Sequence, residues 1–279
     1  MSDVAKDVAA VVIDYHADQI LIECVDSLLA NGVREIVVVE NGEVGSVPAS
    51  LTDRGVVLLS PGVNLGYGRG INRGVAIARL TKYVLASNPD VVVHDGAVAA
   101  LVDYLDAHDD VALVGPEVRR PDGSVYPSMR VFPNVWLAGL HAILAPLWPS
   151  NPATKSYRSA RSDGSVDWVS GACFLVRRSA FESVGGFDER YFMFAEDMAL
   201  CWQLREHGFK VAATTDAVVT HIEGVSRARA SRDMLIAHHR SALRFEYQTS
   251  KGWRRALVPL AAMVLSLRLV LVLVARPKS

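Results

Sequence analysis

The sequence predicts an α/β fold built on a mainly parallel central sheet, and three observations lead there. From Val8 to Leu113, short β-branched runs alternate with stretches of helical periodicity, the pattern of a layered α/β architecture. Stop signals such as Asn31-Gly32 fall where the helical periodicity ends. At 279 residues the chain is long enough for a full core as one large domain, alone or with an appendage.

In chain order, the expected strands are 8–13, 35–39, 56–59, 83–86 and 111–114, with helices over 20–30, 68–80 and 96–107. The regularity breaks after Gly115, where Pro121-Asp122-Gly123 marks a turn. The stretch 131–150 is apolar and punctuated by proline, and carries Trp136 and Trp148. A second block follows, with a strand over 166–176, a helix over 196–207 and an apolar strand at 217–220, before a basic helical tail. This divides the chain into a main domain, 1–250, with halves 1–115 and 116–250, and a tail, 251–279. Ligands of such sheets bind beyond the carboxyl ends of the strands, so the loops starting at Asp14, Glu40, Ser60 and Ser87 matter most.

Composition excludes several classes of function. Lys and Arg total 29 against 30 for Asp and Glu, which leaves no overall charge to attract nucleic acid. Cys24, Cys173 and Cys201 lie in apolar runs without metal-ligand spacing and read as reduced core residues of a cytosolic protein. Residues 1–7 lack the basic-then-apolar pattern of a secretory leader, so export by that route is not expected. The sequence contains no phosphate loop of the G-x-x-x-x-G-K-[ST] type, no H-E-x-x-H zinc helix and no G-x-S-x-G elbow. The glycine cluster from Gly66 to Gly74 fails the dinucleotide fingerprint in either frame, because Ile71 or Arg73 takes the third glycine position. It reads either as a glycine-rich turn into a helix or as backbone that approaches a ligand, with Asn64 and Asn72 supplying amide contacts.

Two acidic motifs carry the chemistry. Residues 187–197 set aromatic side chains around Glu196 and Asp197, surroundings that raise a carboxylate's pKa by desolvation and make it a usable base. The same pair at a helix start also fits plain capping. Far upstream, Ser87-Asn88-Pro89-Asp90 directly follows an apolar strand. Together they suggest an acceptor side and a donor side of one cleft.

The ordered set Val12-Ile13-Asp14-Tyr15, Val37-Val38-Val39-Glu40-Asn41, Asn64-x-Gly66-Tyr67, Asn88-Pro89-Asp90, Trp168 to Cys173, Gly185 to Glu189, Glu196-Asp197 and His221-x-x-Gly224-x-Ser226 resembles glycosyltransferase family two, with its GT-A fold. The resemblance covers residues 8–247 and is nearest to the rhamnosyltransferases that act on polyprenyl-diphosphate-linked N-acetylglucosamine, including the helical region around His238-His239-Arg240-Ser241. It implies inverting transfer of L-rhamnose from dTDP-L-rhamnose in the synthesis of a cell-wall linker disaccharide. It also implies a divalent cation, Mg²⁺ or Mn²⁺, held by Asp90 and His221, with Asn88 standing where the family's metal motif commonly has Asp. Asp197 would act as base, with Glu196 beside it to orient it or bind acceptor. Tyr15 would stack on the thymine ring and Glu40 accept its N3–H, with Asn64, Gly66, Asn72 and Asn88 completing the donor contacts and Trp168, Gly171 and Ala172 lining the acceptor side. His16 and Glu40 replace the family's usual Asn and Asp. Two other readings stay open: a transferase using UDP-glucose or UDP-galactofuranose, and a catalytically weak GT-A scaffold that binds glycan or lipid.

The tail bears on location. Residues 256–275 are almost continuously apolar but contain Pro259 and Arg268, and they follow Lys251, Trp253, Arg254 and Arg255. This fits a helix lying in the cytoplasmic leaflet with Trp253 at headgroup level, as in a peripheral membrane protein. A buried C-terminal helix is the alternative, 136–148 offers a second apolar contact, and the sequence leaves a homodimer open.

Overall fold

A computed structural model of the chain describes residues 3–132, 148, 150, 152, 166–222 and 232–275. The first half runs β1 (Val8–Asp14), α1 (Gln19–Ala30), β2 (Glu35–Glu40), β3 (Val57–Leu59), α2 (Tyr67–Ile77), β4 (Tyr83–Ser87), β5 (Val91–Val93), α3 (Ala97–Ala107) and β6 (Val111–Arg119). It continues with β7 (Met129–Arg130), β8 (Trp168–Val169), β9 (Cys173–Arg177), α4 (Arg178–Ser183), α5 (Glu196–Glu206), β10 (Lys210–His221), α6 (Arg232–Thr249) and α7 (Val258–Ala275).

Eight of these strands form one sheet in the order β3-β2-β1-β4-β9-β6-β10-β5, while β7 and β8 make a small ribbon. The pairs β1 with β2, β1 with β4, β2 with β3 and β6 with β10 are parallel. The mainly parallel expectation needs one amendment, because β9 lies antiparallel between β4 and β6, and β5 lies antiparallel to β10. The expected strand over 166–176 is in fact two, β8 in the ribbon and β9 in the main sheet, with Ser170 to Ala172 turning between them. The short apolar strand β5, absent from the expected set, follows Asp90 directly, and the strand expected over 217–220 is the end of the longer β10.

The unbroken apolar runs follow from burial on both faces. Along β1, Val8, Ala10 and Val12 pack with Leu21, Cys24, Val25 and Leu28 of α1, while Ala9, Val11 and Ile13 pack with Ile71 and Val75 of α2. Leu200 and Leu204 of α5 cover the latter face farther along the sheet. The three cysteines are buried and unbridged, as expected.

The glycine cluster is mainly a packing device. A Cβ on Gly70 would sit 2.8 Å from Ile13 Cδ1, and one on Gly74 would overlap Val11, so these glycines let α2 lie close on β1. Gly66, at φ 78°, begins this close approach, and a Cβ there would overlap the Phe192 carbonyl.

In the tail, Ala261 is buried, while Leu260, Met263, Val264, Leu267 and Val270 form an exposed apolar stripe at helical spacing. At about 1.5 Å per residue, α7 is shorter than the roughly 30 Å hydrocarbon core, and among the described residues no helix is long and apolar enough to cross a membrane. The apolar stretch 136–148 lies outside the described residues except for Trp148.

Candidate active site

The carboxyl ends of β1, β2 and β4 open on one side of the sheet, and the loops that leave them build the first pole of a cleft. After β4, Asn88 and Asp90 converge on His221 at the end of β10, because β5 pairs with β10 and sets Val91 opposite His221. His221 Nε2 lies 3.1 Å from Asp90 Oδ1 and 3.5 Å from Asn88 Nδ2. Asp90 is buried, and His221 Nδ1 is a buried nitrogen without a hydrogen-bond partner. Among the described residues no group of three His, Cys, Asp or Glu side chains could hold a metal by itself. A divalent cation at phosphate sites takes one or two protein ligands and fills its other positions with phosphate oxygens and water. One carboxylate and one imidazole fit a cation shared with a diphosphate, not a closed protein cage.

Asp197 anchors the second pole, in the first turn of α5. Its Oδ2 accepts the Gly171 N–H at 2.9 Å and its Oδ1 accepts the Met198 N–H at 2.8 Å. Burial raises its pKa, while those two donors and the charge of Arg130 hold the rise back. Glu196 lacks such help: it is buried, its Oε2 has no partner, and burial next to Asp197 pushes its carboxyl up to about 8. The environments of two neighbouring carboxyls therefore differ: two backbone N–H donors favour the charged form of Asp197, while Glu196 Oε2 has no donor to offset its burial. Asp197, by accepting the Met198 N–H, satisfies one first-turn donor of α5, and the residues before the pair, Phe194 and Ala195, both sit at positive φ, 67° and 61°. Such backbone costs of order 1–3 kcal/mol per residue and persists only where neighbours enforce it. Here α6 does so: Ser241 Oγ donates to the Met193 carbonyl at 2.8 Å, Gln248 Oε1 accepts the Tyr191 hydroxyl at 2.9 Å, and His238 stands edge-on to Phe194.

The Gly171-Ala172 turn joins the poles. The Ala172 carbonyl accepts the Asn88 N–H at 2.8 Å, while Gly171 donates to Asp197, so one dipeptide touches both. Tyr67 at the start of α2 closes the arrangement by donating its hydroxyl to the Gly171 carbonyl at 2.5 Å. A Cβ on Gly171 would come within 3.3 Å of Asp197 Cβ and 3.4 Å of the Tyr67 ring.

Other expected contacts are placed differently. Tyr15 is 43% exposed, on a loop strained by positive φ at His16 and Asp18, and is available to stack. Glu40 is buried with both carboxylate oxygens engaged by its own chain, Oε1 by the Val47 N–H at 3.0 Å and Oε2 by Ser60 Oγ at 2.6 Å. Burial alone would raise its pKa, but these hydrogen bonds outweigh it and the net shift is downward. Glu40 thus organises the loop after β2. Asn64 Oδ1 accepts the Gly66 N–H at 2.8 Å and an N–H of the Asn41 amide, which also donates to the Gly66 carbonyl and accepts the Leu65 N–H through its Oδ1. The expectation that Asn72 contacts the donor does not fit its geometry: both of its amide atoms are bonded to the Phe187 backbone at 2.9 Å, which fixes the loop before α5 to α2. Trp168 likewise is buried, with its indole N–H on the Val131 carbonyl at 3.2 Å, so it braces the β7-β8 ribbon. Asn41, Tyr67 and buried Asp14, which lies opposite Glu40 in register, are additions to the expected set. All three stand at element ends, within the motifs that carry the family resemblance.

The raised Glu196 carboxyl has a consequence for stability. Its proton is held more tightly in the folded than in the unfolded chain, so folding stability falls as pH rises from the ordinary 4.5 toward about 8. Glu196→Gln is expected to raise the thermal midpoint at about pH 8 and change it far less at about pH 5. Thermal melts of both proteins across this range check it, and an equal shift at both ends would contradict the assignment.

Comparison with known proteins places this cleft in a family. The model of "Glycosyltransferase like family 2" matches residues 5–239. The chain is 40% identical over 236 residues to N-acetylglucosaminyl-diphospho-decaprenol L-rhamnosyltransferase of Mycobacterium tuberculosis, covering 79% of this chain and 77% of that protein. It is 30% identical over 172 residues to rhamnosyltransferase WbbL of Escherichia coli, covering 56% of this chain and 60% of that one. Among solved structures, a mannosyltransferase from Pyrobaculum calidifontis in complex with GDP-Man and Mn²⁺ superposes with a TM-score of 0.61 at 16% identity, covering 98% of this chain and 76% of that one. GalNAc-T7 with UDP, GalNAc and Mn²⁺ gives 0.59 at 14% identity, covering 93% and 55%. With its GT-A fold and a match over most of its length, the chain belongs to glycosyltransferase family 2 and is a glycosyltransferase.

Proposed function

We propose that the enzyme transfers L-rhamnose from dTDP-L-rhamnose, with inversion, to a polyprenyl-diphosphate-linked N-acetylglucosamine in the synthesis of a cell-wall linker. The observation that carries the substrate reading is 40% identity, across 236 residues, to a protein named for that reaction. The cleft supports the chemistry. Asp197, charged and oriented by two backbone N–H groups, takes the proton of the acceptor hydroxyl as that oxygen attacks the anomeric carbon. The bond to the nucleotide diphosphate breaks on the opposite face, so a single displacement inverts the centre, and only one base is needed. Glu196, kept neutral, leaves the acceptor side free of a second negative charge.

Asp90 and His221 would hold a divalent cation, with Asn88 as an uncharged neighbour that bonds phosphate oxygen. Such a cation supplies countercharge to the departing diphosphate. An imidazole in the ligand set favours Mn²⁺ over the harder Mg²⁺. Tyr15 remains the natural stacking partner for the nucleobase. Asp197→Asn is expected to lower turnover by at least about a hundredfold while dTDP binding survives, since a neutral amide takes no proton. Asp90→Ala should do the reverse, abolishing the gain in dTDP affinity that Mn²⁺ gives. Rates and calorimetry on both variants check the pair, and near-native turnover in Asp197→Asn would overturn the base assignment.

The enzyme meets its lipid-linked acceptor by docking peripherally on the cytoplasmic face of the membrane. The exposed stripe of α7 and Trp253, 72% exposed, provide apolar area, and Arg254, Arg255 and Lys251 lie beside them. Met263→Glu and Leu267→Glu alter exposed positions, 62% and 60% accessible, and should preserve folding while reducing flotation with anionic vesicles. Unchanged flotation in the double variant would contradict docking through this face.

A further inference from the structure

The hairpin that follows β6 and the strand β7 after it carry two guanidinium groups that form no ion pair among the described residues, although the Arg120 charge reaches Asp122. Arg120 lies 5.1 Å from the Tyr126 ring centroid and Arg130 lies 5.9 Å from it, with Arg130 also 5.3 Å from the Trp168 ring. Tyr126 in turn stands edge-on to His221 at 6.4 Å. The acidic groups of the hairpin are already engaged: Glu117 pairs with Arg119 at 2.7 Å, and Asp122 accepts the Ser124 N–H at 2.9 Å. Among the described residues, Arg130 gives only its Nε–H, to the Pro127 carbonyl at 2.6 Å, and Arg120 gives only Nη1, to Ser124 and Val125 at 3.3 Å. Each guanidinium is therefore held in orientation by a ring and a backbone bond, and each keeps N–H groups available at a partly open surface.

Their place in the cleft is defined from two directions. Through Tyr126 they adjoin the His221 pole. Through β7, where Arg130 lies opposite Trp168, and the next hydrogen bond, from Ser170 N–H to the Ser128 carbonyl at 2.9 Å, they adjoin the turn that holds Asp197. The Arg130 charge reaches Asp197 itself, where it opposes the upward effect of burial.

We propose that Arg120 and Arg130, set on either side of Tyr126, bind the diphosphate of the acceptor lipid. This rests on the acceptor proposed above. A sugar whose hydroxyl meets Asp197 carries its anomeric diphosphate about one ring width away, so two cations are needed near the base yet apart from the site of the departing nucleotide diphosphate. Planar guanidinium groups with several N–H donors suit phosphate oxygens, and stacking on a ring lowers the cost of ordering them. The pair would distinguish a polyprenyl-diphosphate sugar from a neutral glycoside.

The test uses the full chain with Arg120→Gln, Arg130→Gln and Arg130→Lys. Geranyl diphosphate, which has no sugar, is titrated by calorimetry in the presence of dTDP and Mn²⁺, and dTDP is titrated separately. Rates are measured on geranyl-diphosphate-linked N-acetylglucosamine and on the neutral octyl glycoside. Each Gln variant is expected to weaken geranyl diphosphate binding, and kcat/KM for the diphosphate acceptor, by about tenfold or more. dTDP affinity should stay unchanged in every variant and the octyl glycoside rate unchanged in Arg120→Gln, while Arg130→Lys, which keeps the charge beside Asp197, recovers part of the loss. Loss of dTDP affinity would assign the arginines to the donor diphosphate, and equal losses on both acceptors would make them structural; either overturns the proposal. Should the enzyme use no N-acetylglucosamine acceptor, the acceptor reading fails, while geranyl diphosphate binding still decides the arginine site on its own.

Discussion

The structure depends above all on how β9 enters the sheet. It runs antiparallel between β4 and β6, and the turn before it, Gly171-Ala172, is thereby laid across the end of β4. The Ala172 carbonyl then meets the Asn88 N–H, and the Gly171 N–H meets Asp197. Two acidic sites more than a hundred residues apart in sequence become neighbours through a single dipeptide. The absence of a side chain at Gly171 is part of this, because both Asp197 and Tyr67 crowd its Cα.

Around that link the two poles are built on opposite physical terms. The Asp90–His221 pole is polar and incomplete, a pair of donors that a phosphate-bound cation can finish. The Glu196–Asp197 pole is buried, and its cost is met by positional support: Asn72 fixes the Phe187 backbone, and α6 holds Tyr191, Met193 and Phe194. Since α7 packs along α6, and the Arg268 charge reaches His238, the tail and the base share a helix. The docking proposed for α7 and the role proposed for Asp197 would thus both lean on one element, α6.

Much of this was legible in the sequence. The β1, β2, β4 and β6 runs are apolar on both faces and bounded by clear turn signals, and the acidic motifs stand directly at element ends. What escaped had local patterns that tertiary pairing overrides. Residues 166–176 read as one strand because nothing local reveals that Ser170 to Ala172 leaves one sheet for another. The glycines of α2 were open to a ligand reading, and only the proximity of Ile13, Val11 and Phe192 shows that they serve packing. Asn72 and Trp168 are polar or aromatic residues in the right motifs, yet their polar atoms are consumed by Phe187 and Val131. Hydrogen-bond partners more than a hundred residues away, as for Asn72, leave no trace in spacing.

The reaction proposed for this enzyme is a single displacement in which Asp197 deprotonates a sugar hydroxyl on a diphosphate-linked acceptor. The most direct measurement is the NMR configuration of the new glycosidic bond, formed from geranyl-diphosphate-linked N-acetylglucosamine and a panel of nucleotide sugars. With Asp197 as base in one displacement, dTDP-L-rhamnose is expected to be the donor turned over fastest and the product to have the anomeric configuration opposite to the donor's. Retention of configuration, or faster transfer from a UDP-sugar, would contradict it.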